Sequence, residues 1–181
     1  TYPVDWMTVY LGGMYFLPGD SAYQASVPWT NKKVRQAMNV AINRKELLNT
    51  VFAGKGTMTY VTGWSEKSEG FNPGWQSRFE KMYGYNPARA KELLKEAGYG
   101  PGGKPLKFKI LAFTEPGESE GPQVAEALGI YYKEVGVETE IEVLGRDLEW
   151  DDSPERSDHS AGRFLDRTRD FLDPAVFAAG R

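Results

Sequence analysis

The sequence predicts an α/β fold, and three stretches carry that reading. Residues 106–144 run strand, helix, strand. Residues 31–54 hold two amphipathic helical patterns back to back. Residues 86–98 form a third helical pattern with a strong start and stop signal.

The elements follow in order. Thr1 to Leu17 is rich in apolar and aromatic residues, with Gly12-Gly13 between Trp6–Leu11 and Met14–Leu17. β-branched and aromatic residues favour strands, and the glycines suggest a break between two strand pieces. Pro18-Gly19-Asp20 is turn chemistry.

From Asn31, the residues Val34, Ala37, Met38, Ala41 and Ile42 fall at helical spacing and share one face. Thr30 stands where an N-cap is expected. A second helix is predicted from Asn43, with Glu46 at capping-box spacing. Leu47, Leu48, Val51 and Phe52 form its apolar face, and Gly54 is a natural stop.

Residues 54–85 show no clear period. They carry glycines and seven aromatics, among them Trp64, Phe71 and Trp75. A long loop is usually functional or tied down by its own side chains. Trp64 and Trp75 are candidates either to anchor it or to line a ligand cleft.

Asn86 then caps a helix with Pro87 at its first position, where the missing N–H costs nothing. Ala90, Leu93, Leu94 and Ala97 make its buried stripe, and Gly98 ends it. A Gly/Pro turn, 100–105, leads to a strand over 106–113. A helix is expected over 122–135, with Val124, Leu128, Tyr131, Tyr132 and Val135 on one face. Gly136 stops it, and 137–144 alternates as a strand. Such a β-α-β unit implies parallel strands joined by a right-handed crossover.

Composition narrows the function. The chain has 181 residues, a net charge of −3 and no cysteine. A nucleic-acid partner is not indicated, and thiol catalysis and Cys-based zinc sites are excluded. No apolar run reaches the roughly 18 residues of a membrane-spanning helix. Thr1 is not preceded by a basic and apolar leader, so any signal peptide is expected outside this chain. No nucleophile elbow, P-loop, GxGxxG or HExxH is present.

Asp147, Glu149 and Asp151 match the first three ligand positions of a calcium loop. Asp152 replaces the turn glycine, Pro154 interrupts, and Asp158 replaces the final Glu. The segment therefore reads as a solvated acidic loop. His159 is the sole histidine, so neither a metal site nor a cofactor is expected from this chain.

The wording of the helices is more specific than their periodicity. V-R-Q-A-M-N-V-A-I-N-R-K-E-L-L resembles the "VRqAl..AidR..l" segment of family 5 extracellular solute-binding proteins, the dipeptide, oligopeptide and nickel receptors of ABC importers. N-P-A-R-A-K-E-L-L-K-E-A-G-Y resembles that family's "yDp..AkkLLaeAGy", with Asn86 for the usual Asp. Tyr132–Ile141 is similar to its "lk.iGi.v.l" segment, with Val135 for Ile or Leu. The likeness covers most of 27–143.

The resemblance implies a lobe of a type II periplasmic-binding-protein fold, a mixed sheet flanked by helices. Residues 1–181 would be a partial C-terminal lobe, with an inter-lobe crossing strand within 1–27. Residues 145–181 would hold the acidic loop and a return segment. FLDRTRDFLDPAVF, residues 164–177, is similar to the family's "gW..dy.dP", which places the acid that meets a ligand ammonium group on Asp170. Arg167 falls where the family has Trp. Asp170, Arg167, Trp64 and Trp75 are thus the expected ligand-binding residues, and Asp170 reads equally as a surface acid paired with Arg167 or Arg169.

The implied function is capture of peptides or similar small solutes for a membrane permease, without catalysis. The protein would be a monomer, periplasmic or extracellular, with a lipid anchor in some hosts. Three alternatives stay open. Trp64, Trp75 and Trp150 suit stacking on oligosaccharides. The carboxylates between Asp147 and Asp170 suit a hydrolase. A ligand-free interaction module needs none of them.

Overall fold

The computed structural model describes residues 7, 9, 11, 26–61, 66–114 and 119–144. Expectations for 1–6, 12–25 and 145–181 lie outside them. So does the acidic loop with His159.

A 3-10 turn, Pro28–Thr30, leads into helix α1, Lys32–Val40. The cap is Asn31 and not Thr30. The Asn31 carboxamide accepts from the Lys33 N–H at 2.9 Å, while the Thr30 hydroxyl turns back and donates to the Val27 carbonyl at 2.8 Å. Pro28 starts the 3-10 turn one step early, and that turn takes Thr30 out of capping position.

Helix α2, Arg44–Thr50, opens on Asn43 as the spacing predicts. Asn43 Oδ1 accepts from the Glu46 N–H at 3.2 Å, and Asn43 Nδ2 donates to Glu46 Oε2 at 2.9 Å. The reciprocal pair is a side-chain variant of the capping box. At the far end the Gly54 N–H donates to the Leu48 carbonyl at 3.0 Å. Gly54 is left-handed at φ 71°, and so is Ala53 at φ 51°.

Residues 74–83 are not a loop. They form helix α3, Gly74–Tyr83, which buries Phe79 and Tyr83. The helical spacing of Trp75, Phe79 and Tyr83 is present in the sequence, masked by the glycines around it. The Asn72 side chain accepts from the Gly74 N–H at 2.8 Å and holds its start.

Helix α4, Pro87–Glu96, is capped by the Asn86 side chain, which accepts from the Arg89 N–H at 2.9 Å. Gly98, at φ 85°, closes it. Its N–H donates to the Lys95 carbonyl, and the Tyr99 N–H reaches the Leu94 carbonyl. This is a Schellman closure.

Strand β1, Leu106–Phe113, helix α5, Gly121–Glu134, and strand β2, Val137–Leu144, make the β-α-β unit. The strands pair in parallel, with Leu106 opposite Val137 and Phe113 opposite Leu144.

One core joins the helices to the sheet. Val34, Leu47, Leu106, Leu128 and Val137 are fully enclosed, each contributing about 1.5–3 kcal/mol of burial. α1 packs chiefly on α4, and α5 on both strands. Phe108 of β1 links the layers, edge-on to Trp29 at 5.5 Å and to Tyr132 at 5.7 Å. Met7, Val9 and Leu11 pack against the same core.

Candidate functional site

The sheet's two faces differ, and one of them changes character along its length. Alternation puts Leu106, Phe108, Ile110 and Ala112 on the inner face of β1. The outer face begins with charges. Lys109 Nζ lies 2.8 Å from Glu142 Oε2 and 3.8 Å from Glu140 Oε1, and Lys107 lies 3.9 Å from Glu138. The hydrogen bond to Glu142, with the negative field of Glu142 and Glu140, raises the Lys109 pKa. These pairs satisfy the outer face in water.

Toward the carboxyl ends the outer row becomes apolar, through Leu111 and Phe113 on β1 and Leu144 on β2. Phe113 is 43% exposed, and Val143, which pairs with Ala112 on the other face at the same end, is 54% exposed. In open α/β sheets the crevice outside the carboxyl ends of the strands is where ligands bind. α5 starts at this same end. A side chain added at Gly121 would collide with the Phe113 carbonyl oxygen, so the helix meets the strand there by close approach. The Thr114 N–H extends the ladder to the Leu144 carbonyl at 3.3 Å. The edge is therefore apolar and open.

A second polar centre lies inside. Arg44, the first residue of α2, is only 6% exposed. Nη1 donates to the Asn39 carbonyl at 2.9 Å and Nη2 to Asn39 Oδ1 at 2.7 Å. The guanidinium carbon sits 5.1 Å from the centroid of the Phe79 ring. Burial pushes the Arg44 pKa down to about 10, with Tyr132 and Glu80 opposing the shift. Arg44 Nε is buried and has no acceptor among the described residues. Beside it lies a cavity of about 20 Å³, walled by carbon from Val9, Leu11, Met38 and Ile42 and lined also by Asn39, Arg44 and Tyr132.

Of the expected site residues, Asp170, Arg167 and Trp64 fall outside the described residues. Trp75 lies in the first turn of α3, half-buried and edge-on to Phe71 at 5.5 Å. α3 packs on α1. Sequence reasoning missed Phe113, Val143 and the Asn39–Arg44 pair. Phe113 was legible as the end of an apolar run, Leu111-Ala112-Phe113, that breaks the alternation of its strand. The pair left no such signal, because Arg44 opens α2 and a helix-start arginine ordinarily lies in water. Among the described residues no group of three or more His, Cys, Asp or Glu is placed to hold a metal. None of their helices is long and apolar enough to cross a membrane.

The architecture is that of an α/β binding-protein lobe. Residues 10–179 match the family described as bacterial extracellular solute-binding proteins, family 5 Middle, and the chain belongs to that family. The neighbouring solved structures are of the type II periplasmic-binding-protein fold. The chain is similar to the dipeptide-binding protein of Pseudoalteromonas sp. SM9913, solved with Met-Leu, at 28% identity and a TM-score of 0.55. That match covers 65% of this chain and 22% of the other. It is similar to HbpA2 of Haemophilus parasuis at 26% identity and a TM-score of 0.57, covering 77% and 25%. NikA of Staphylococcus aureus, solved with Ni(L-His)2, shares the fold at 24% identity and a TM-score of 0.52, covering 65% and 24%. The chain thus spans at most a quarter of the length of these three proteins. No functionally curated sequence matches it.

Proposed function

We propose that this chain is part of the solute-binding component of an ABC importer, which captures peptides or similar small solutes and hands them to a membrane permease without breaking a bond. Family membership across residues 10–179 carries the reading. The open carboxyl edge of β1 and β2 supports it, because it offers an apolar platform where α/β sheets receive ligands. Residues 1–27 would then cross between lobes and 145–181 would return. The parent protein would work as a monomer outside the cytoplasm, with or without a lipid anchor.

Peptides are the favoured ligands, and the Met-Leu complex of the 28%-identical neighbour supports that class. In this reading Asp170 receives the ligand's α-ammonium group through a charge-assisted hydrogen bond. Trp64, Trp75 and Arg167 shape the surrounding pocket.

Calorimetric titration of the intact parent protein with dipeptides and tripeptides tests the proposal, with Asp170→Ala alongside. A ligand at 100 times its dissociation constant should also stabilise by about 2.7 kcal/mol. Peptide binding that is lost in Asp170→Ala is the expected result. Binding of oligosaccharides or of Ni²⁺ chelates in place of peptides would overturn the peptide class, and sugar release on incubation would overturn the non-catalytic reading.

A further inference from the structure

Among the described residues, the buried guanidinium of Arg44 has no counter-charge. Both of its Nη contacts go to Asn39, which is neutral. Its other neighbour is the face of Phe79. Among the described residues no carboxylate pairs with it. Glu80 acts on it only through its field and is itself exposed. A buried cation without an ionic partner is costly, because water has been removed and nothing of opposite sign replaces it. Arg44 nevertheless stays protonated near neutral pH.

The adjoining cavity is the right size for one small species. Its volume of about 20 Å³ exceeds the roughly 10–15 Å³ that one water needs. A water there also needs two to four polar partners. Carbon from Val9, Leu11, Met38 and Ile42 supplies most of the wall, and the polar side chains are Asn39, Arg44 and Tyr132. Asn39 Oδ1 is already engaged by Arg44. The chemistry that fits best is a small monovalent anion. It accepts from Arg44 Nε and, unlike a neutral water, neutralises the guanidinium across a low-dielectric gap.

We infer that the cavity bounded by Arg44 and Tyr132 is a halide site, filled by chloride in ordinary salt solution. The anion would hold together the α1–α2 junction through Arg44, α5 through Tyr132, and Val9 and Leu11 through the cavity wall. The proposal is independent of which solute the parent protein carries.

The test compares thermal unfolding of the full chain in sodium chloride, bromide and gluconate at one ionic strength, together with Arg44→Met. Anomalous diffraction from wild-type crystals grown in bromide accompanies it. The expected result is a saturating rise in Tm with chloride and bromide over gluconate, absent in Arg44→Met, and a bromine peak at hydrogen-bond distance from Arg44 Nε. The same Tm in all three salts would overturn the inference. So would a cavity holding water and no anomalous peak, a reading that does not need the variant to fold.

Discussion

The N–H of Asn86 donates to the carbonyl of Val40 at 2.7 Å, tying the start of α4 to the end of α1. The same residue caps α4 with its side chain, accepting from the Arg89 N–H. Asn86 therefore serves two helices, and only one of those links needs its side chain. Asn86→Ala should remove the cap and leave the main-chain link. The expected cost is about 1 kcal/mol, measured as a lower urea midpoint at unchanged slope. Asn86→Asp keeps an acceptor and should fall within a few tenths of wild type. A large loss in both variants would show that the carboxamide has a further role.

Asn39 is the sole hydrogen-bond partner of the Arg44 guanidinium among the described residues. Asn39→Ala removes the Oδ1 acceptor and keeps the carbonyl. Hydrogen bonds to charged groups contribute about 1.5–3 kcal/mol, so the variant should lose roughly 2 kcal/mol. Asn39→Asp supplies a charged acceptor and should lose less than the alanine variant. Chemical denaturation of both variants decides, and equal losses would contradict the role given to Oδ1.

Ala53 is the described non-glycine residue with positive φ, at 51°. The left-handed region costs an L-residue about 1–2 kcal/mol. Glycine occupies it freely but loses more chain entropy on folding. Ala53→Gly should therefore raise stability by about 0.5 kcal/mol, seen as a small increase in Tm. A decrease would mean that the Ala53 methyl makes packing contacts worth more than the backbone strain.

Gly121 lets the first turn of α5 approach the Phe113 carbonyl. In Gly121→Ala the added methyl meets main-chain atoms, which yield less readily than a side chain. A loss of about 1–3 kcal/mol is expected, as for other overpacked sites. The same shift would move Phe113, so the variant should also change solute affinity if the carboxyl edge of the sheet is the binding platform. Unchanged affinity in a folded Gly121→Ala protein would remove that edge from the site.

Periodicity was enough to place six of the seven helices and strands. The buried face of α1, the capped start of α4 and the β-α-β unit all follow from the spacing of apolar residues, because burial of one face forces that spacing. Helix α3 escaped because Gly70, Gly74 and Gly84 flank it and read as loop chemistry, although Phe79 and Tyr83 have helical spacing. Thr30 escaped because capping depends on where the preceding turn begins, which Pro28 decides. The polar centre was less legible. Nothing in the order of residues says that Arg44 turns inward, since a helix-start arginine ordinarily lies in water. Phe113 was visible only as a strand residue, and its exposure depends on where the ladder ends.

Alkaline titration probes the core directly. Burial first, then Glu46, pushes the Tyr131 phenol up to about 12. Burial raises Tyr132 further still, with Arg44 opposing. In the unfolded chain both phenols ionise near pH 10. Their folded pKa values are raised, so the stability they carry is complete below pH 10 and is lost as pH climbs through 12 and beyond. Tyr60 and Tyr85 shift in the same direction, chiefly through burial. Arg44 has the opposite sign. Its pKa is depressed to about 10, so its burial penalty is relieved between pH 10 and the higher unfolded value, and stability rises there. Two core phenols outweigh one guanidinium, and net stability should fall above pH 10. Phenolate absorbance followed together with far-UV circular dichroism checks this. The absorbance should rise in two phases, the second coinciding with loss of helix. A single phase near pH 10 for all ten tyrosines, with the dichroism intact, would mean that Tyr131 and Tyr132 are accessible to solvent and that the core seam between α5 and the α1–α2 pair is open.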